Sequence, residues 1–174
     1  MLDVNDISII VDVITCIGVI IALFSFFLTR KATLAEYERA KKLSTIEILK
    51  NYESKFHKYD HIIYKNYMYK PLSYEEIIKK RKIEKLVRDY LNDLEFICTG
   101  INIGIYDINT TERLFGDVFV RIFYQFFSYI EERRKQRNSN IVFAEFEKVV
   151  KEIEKIQQKN KDLLNREADI RHKF

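Results

Sequence analysis

Residues Ile7 to Leu28 form a 22-residue apolar run whose only charge is Asp12, and everything from Arg30 onward is densely charged. A chain carrying such a run must bury it in lipid or in a protein core. As a helix rising ~1.5 Å per residue it would extend roughly 33 Å, against about 30 Å for a bilayer's hydrocarbon core. A cleaved leader would open with basic residues, yet no Lys or Arg precedes Arg30, and Phe26-Phe27-Leu28 offers no small-residue cleavage pattern. A buried helix of a soluble core is the bland alternative. The expectation is a single membrane span.

Charge asymmetry orients it. Asp3, Asp6 and Asp12 lie at or before the start of the run, and Arg30, Lys31, Arg39, Lys41 and Lys42 follow it. Basic residues are retained on the cytoplasmic side, which places the N-terminus outside and the C-terminal part inside, at the cell's inner (plasma) membrane. All 30 Lys and Arg residues fall after the run. Setting Asp3, Asp6 and Asp12 aside from 26 acidic residues leaves 23 there, an excess of +7. The juxtamembrane basic residues suit contact with anionic lipid.

Within the run, Thr15, Gly18, Ala22 and Ser25 recur at steps of three or four and share one helix face. Gly18 and Ala22 form a small-xxx-small pair that lets two helices approach closely, so a homo-oligomer is expected. Asp12 and Cys16 fall on a neighbouring stripe, and an ionisable residue within a span usually faces protein or water. The opposing reading is that Asp12 simply reaches the headgroups and the small residues are incidental. Whether the span lines a pore stays open.

Cys16 and Cys98 fall on opposite sides of this division, so no disulfide framework is expected, and no zinc-ligand spacing occurs. One Pro and four Gly in 174 residues leave few breaks. The predicted organisation is a short exterior N-terminus (1–6), a membrane helix (7–28), a juxtamembrane helix or stalk (29–70), a cytoplasmic helical domain (71–165) and a polar tail (166–174). The fold class is all-α, a membrane helix continuing into a small antiparallel bundle.

Periodicity carries that reading. Leu34, Tyr37, Leu43, Ile46, Leu49, Tyr52 and Phe56 give an imperfect stripe before Pro71. Ser73-Tyr74-Glu75-Glu76 is a capping box for a helix bearing Ile83, Leu86, Val87, Tyr90, Leu91, Leu94, Ile97, Cys98 and Ile101. A third helix starts near Thr110 or Thr111 and closes at Arg133-Arg134-Lys135. A short turn, Arg137 to Asn140, precedes a fourth helix from Ile141.

The stretch from Arg88 to Ile97, followed by Gly100-Ile101-Asn102-Ile103-Gly104-Ile105-Tyr106-Asp107, resembles the bacterial domain-of-unknown-function family 4760. Gly116 to Arg121 and the basic end at Arg133 and Arg134 extend the likeness over about residues 80 to 150. The resemblance implies one membrane helix before a helical domain. It brings no catalytic residues and no cofactor. By association, short membrane proteins of this sort look like effector subunits of anti-phage systems.

Glu95 is the carboxylate of most interest. It shares a helix face with Leu91, Leu94 and Cys98, so it needs a partner on the core side. Arg121 is the candidate, Arg88 the second choice, and Asn92 lies one turn earlier. The expectation is a buried polar tie of Glu95, Arg121 and Asn92 and not a catalytic acid. His57 and His61, with Asp60 and Glu53 nearby, have metal-edge spacing but lack a third ligand and the Glu of an HExxH site, so no metal is assigned.

The basic clusters Lys79-Lys80-Arg81-Lys82 and Arg133-Arg134-Lys135 with Arg137 form a charged surface. Nucleic acid or a nucleotide is a further candidate partner for it, on charge alone and without a recognition motif. The function expected is non-enzymatic: a membrane protein that self-associates and presents a cytoplasmic domain to a protein partner or signal. The alternatives are a passive anchor for a soluble partner and a tethered hydrolase working through Glu95 or the histidines.

Overall fold

A computed structural model describes the backbone of residues 4–171 and the side chains of residues 15–165. Every regular element among them is helical: α1 (Val4–Tyr67), α2 (Tyr74–Ile78), α3 (Arg81–Asn102), α4 (Ile108–Gln125), α5 (Phe127–Arg137) and α6 (Ala144–Arg171). The chain divides into two compact units, Met1–Ala40 and Lys41–Phe174.

In the first unit the apolar run is helical, and from Thr15 to Ala40 every side chain is exposed. Its 18-residue apolar window has mean hydropathy 1.7 and buries none of its residues, so by length and composition this helix suffices to cross a membrane. Nothing lies within 4 Å of where a Cβ on Gly18 would stand. Asp12's side chain lies outside the described residues. Thr29 and Thr33 donate to the carbonyls of Ser25 and Thr29, four residues back, which keeps their hydroxyls satisfied without water.

The second unit begins thirty residues before the boundary expected at residue 71. From Lys41 onward α1 contributes Leu49, Phe56 and Ile63 to the core, with Tyr52, Tyr59 and Ile62 packed at its edge. Leu43 and Ile46, expected on this stripe, are exposed, and Thr45 is buried in their place. Its hydroxyl donates to the Lys41 carbonyl and accepts the Asp107 N–H, so its polarity costs nothing there. Large rings bridge the gap to the neighbouring helices: Phe56 lies 5.2 Å from Tyr90 and 6.3 Å from Phe115, and Tyr59 lies 4.9 Å from Tyr90.

α3 is the central element, burying Val87, Tyr90, Leu91, Leu94, Ile97 and Cys98 completely. It packs on α6, which also packs on α4, while α2 bridges α3 and α5. The Ser73 capping box is present, but it opens only the short α2. The chain then breaks at Lys80 (φ −119°, ψ 99°) before α3 begins. The expected third helix is likewise two, interrupted at Phe126, and its cap is Asp107 rather than Thr110 or Thr111. The fourth starts at Ala144 and not Ile141, which is exposed in the preceding turn, and it runs to Arg171, into the expected polar tail of residues 166–174.

The Gly100–Tyr106 stretch has a steric explanation. A Cβ on Gly100 would lie 2.3 Å from the Tyr106 ring, and the Gly100 carbonyl accepts the N–H groups of Ile105 and Tyr106. Gly104, at φ +84°, makes the left-handed turn that folds the ring back.

Candidate functional site

The sequence placed Glu95 and Arg121 in one tie; the structure separates them. Glu95 projects from α3 toward the start of α6, where Oε1 accepts the Glu145 N–H at 3.1 Å and Oε2 the Phe146 N–H at 2.7 Å. Its carboxylate thus serves as an N-cap supplied by another helix, satisfying two of the four amides a helix start leaves open. Phe143, which precedes α6 at φ +54°, has no oxygen to do this. Burial pushes the Glu95 carboxyl above its ordinary value, and the two amide hydrogen bonds pull partly against that rise.

Arg121 instead meets Asp60 of α1, Nη2 to Oδ2 at 2.6 Å, and the Tyr90 hydroxyl donates to the other carboxylate oxygen at 3.2 Å. The Tyr69 ring covers the Arg121 guanidinium, 4.2 Å from its centroid. Beside it, Tyr59 donates to Asp93 and Lys55 bridges the same carboxylate at 2.6 Å. Asp60 was the missed residue, although its spacing of four after Phe56 and three before Ile63 puts it on the inward stripe. Asn92 is exposed and joins neither network.

His57 and His61 are exposed on α1, and His57 lies 3.7 Å from Glu53. Among the described residues no three His, Cys, Asp or Glu side chains are grouped to hold a metal. Cys98 is fully buried, and burial drives its thiol well above the ordinary range.

The basic clusters also divide. Arg134 does not belong to the free surface: it bonds Glu131 at 3.0 Å, Glu147 at 2.8 Å and the Val142 carbonyl at 2.9 Å. It ties the end of α5 to the turn and to α6. Lys135 lies 3.6 Å from Glu132. Lys79, Lys80, Arg81 and Lys82 are exposed around the α2–α3 break. Arg133 and Arg137, by contrast, join Arg88 from α3 in lining a cleft of about 430 Å³, which Glu95 and Tyr129 also line. Arg88 continues into a second basic groove with Arg81, Lys82 and Lys85.

This cleft is the candidate site: three guanidiniums over one carboxylate that is already engaged by backbone amides. Arginine's planar fork of donors is suited to oxyanions. Among the described residues Glu95 is the one carboxylate lining it, and it is held as a helix cap.

No curated protein and no solved structure matches the chain. A family model described as "Domain of unknown function (DUF4760)" matches residues 12–153, covering both the apolar helix and the helical core, and the chain belongs to that family.

Proposed function

We propose that this chain is a non-enzymatic single-pass membrane protein. Its N-terminus faces outward, its span self-associates, and its cytoplasmic helical domain receives a signal or a partner. The observation that carries the reading is the bare apolar helix. Nine large apolar side chains between Ile17 and Leu28 are 52–65 % exposed, while Arg30 and Lys31 follow directly. Burying each such side chain fully is worth about 1.5–3 kcal/mol, so leaving all of them in water is untenable. Lipid covers them at the length required, and the basic flank sets the direction.

The Thr15, Gly18, Ala22 and Ser25 face and Asp12 supply the association surface in this reading. In an anti-phage setting, assembly through that face would make the protein a membrane effector, with the helical domain as its input. Light scattering of the detergent-solubilised full chain tests the assembly. An oligomer that Gly18→Leu and Asp12→Leu reduce to a monomer supports it. A wild-type monomer refutes self-association and leaves a simple anchor. Exchanging the span for an unrelated membrane helix separates the same two readings in cells, because an anchor keeps its activity and an effector loses it.

A further inference from the structure

The α3–α5 cleft has a chemistry that the anchor does not use. Arg88 and Arg137 have no hydrogen bond or ion pair among the described residues, and Arg133 donates only to Gln136, at 3.3 Å. Arg134, between them in sequence, is fully engaged, so the basic run alternates between a structural arginine and free ones. Tyr129 lines the same cleft. Its side chain is completely buried, yet its hydroxyl has no hydrogen-bond partner. A buried orphan hydroxyl costs stability and calls for an explanation.

The charged groups acting on that phenol are, in order, Arg133, Glu84 and Arg88, with the Tyr74 hydroxyl after them, and none of them bonds it. Guanidiniums are donors only, so what the site lacks is an acceptor. Charge points the same way. Three guanidiniums against Glu95 and the neighbouring Glu84 still leave a positive charge in excess, which favours an anion such as a phosphate there. The cleft's volume of about 430 Å³ lies within the range of small-molecule sites. Ile141, 80 % exposed on its rim, offers an apolar surface to an organic group beside the phosphate.

We propose that this cleft binds a phosphate-bearing small molecule, held by Arg88, Arg133 and Arg137, with the Tyr129 hydroxyl donating to a phosphate oxygen. The proposal deepens the signal-receiving half of the function above and rests on it; the membrane span is independent of it.

The test is calorimetric titration of the full-length protein, in nanodiscs of phosphatidylcholine, with inorganic pyrophosphate and with ATP. Saturable binding is expected for both, tighter for ATP. Tyr129→Phe should weaken it about tenfold, the worth of one hydrogen bond to a charged group, and leave the unliganded melting temperature unchanged or higher. The Arg133→Gln, Arg137→Gln double variant should abolish it. Pyrophosphate binding that depends on Tyr129 in phosphatidylcholine discs but is lost in phosphatidylglycerol discs would assign the phosphate to a lipid headgroup on the same residues and overturn the small-molecule ligand. The proposal is overturned if neither probe saturates, or if Tyr129→Phe binds as wild type does, which marks a diffuse basic surface. Each variant's retention in the membrane and its mass are read in parallel, so failure of the anchor reading shows separately.

Discussion

Glu95→Ala is the substitution whose effect the structure defines most closely. It removes both acceptors from the first turn of α6 and leaves the Glu145 and Phe146 amides, now held at 3.1 and 2.7 Å, without a partner. Loss of an ordinary N-cap costs about 0.5–2 kcal/mol. Two bonds to a charged acceptor set a ceiling of roughly 3–6 kcal/mol. The carboxylate's own burial, which raises its pKa, works against that ceiling, while the half-buried position limits replacement by water. The net expectation is a loss of about 2–3 kcal/mol, and roughly half of that for Glu95→Gln, whose amide keeps one acceptor. With eleven tyrosines and no tryptophan, near-ultraviolet circular dichroism during urea unfolding of the detergent-solubilised chain reports the packing of the helical core. Hydrogen exchange at the α6 start should accelerate in parallel. A loss below about 0.5 kcal/mol, with exchange at Glu145 and Phe146 unchanged, would refute the capping role.

Gly100→Ala forces a methyl group against the Tyr106 ring and should destabilise by about 1–3 kcal/mol in the same unfolding assay. Gly100→Ala with Tyr106→Leu should regain part of that loss. Removing either member of the Asp60–Arg121 pair should cost about 1–2 kcal/mol, discounted for side chains 19 % and 27 % exposed, and a double-mutant cycle should return a positive coupling. Three carboxylates set opposing pH dependences. Burial alone would raise Asp107, but its bonds from Thr110 and the nearby Lys41 and Lys42 hold it below its ordinary value. Glu147 is held down by Lys151 and, against burial, by Arg134. Their contribution is present above the unfolded carboxyl pKa and is lost as pH falls through the lower folded values. Glu95, raised in the folded state, runs the other way and withdraws stability as pH rises through its folded value. The gap between wild type and Glu95→Gln should therefore narrow in unfolding titrations as pH rises from the unfolded carboxyl pKa through the raised folded value.

The helical class, the apolar helix and the core face of α3 were legible because each rests on a long periodic pattern. Breaks were less so. Lys80 and Phe126 interrupt helices without Gly or Pro, since the turn each makes is dictated by what α2 and α5 pack against and not by local propensity. The inward position of Glu95 was readable from its spacing, but its partner was not. Backbone amides at a distant helix start carry no sequence signature, whereas Arg121 is conspicuous and draws the inference toward itself. Asp60, its actual partner, lies one turn beyond Phe56, where the expected stripe stops, and stands out in the sequence only as a neighbour of His57 and His61. The stripe itself holds at Leu49, Tyr52 and Phe56 and fails at Leu43 and Ile46, beside the buried Thr45. The cleft was half visible: the arginines form a run, but only the fold distinguishes Arg134, which is used internally, from Arg133 and Arg137, which are not.

The central claim, that residues 7–28 cross the membrane with the helical core inside, is tested most directly by labelling with a membrane-impermeant maleimide. On a Cys16→Ser, Cys98→Ala background, Asn5→Cys should label in intact spheroplasts, and Ser54→Cys, at an exposed position, only after lysis. The chain should also stay in the membrane pellet after alkaline carbonate extraction. Release by carbonate, or labelling of Ser54→Cys before lysis, would contradict the account.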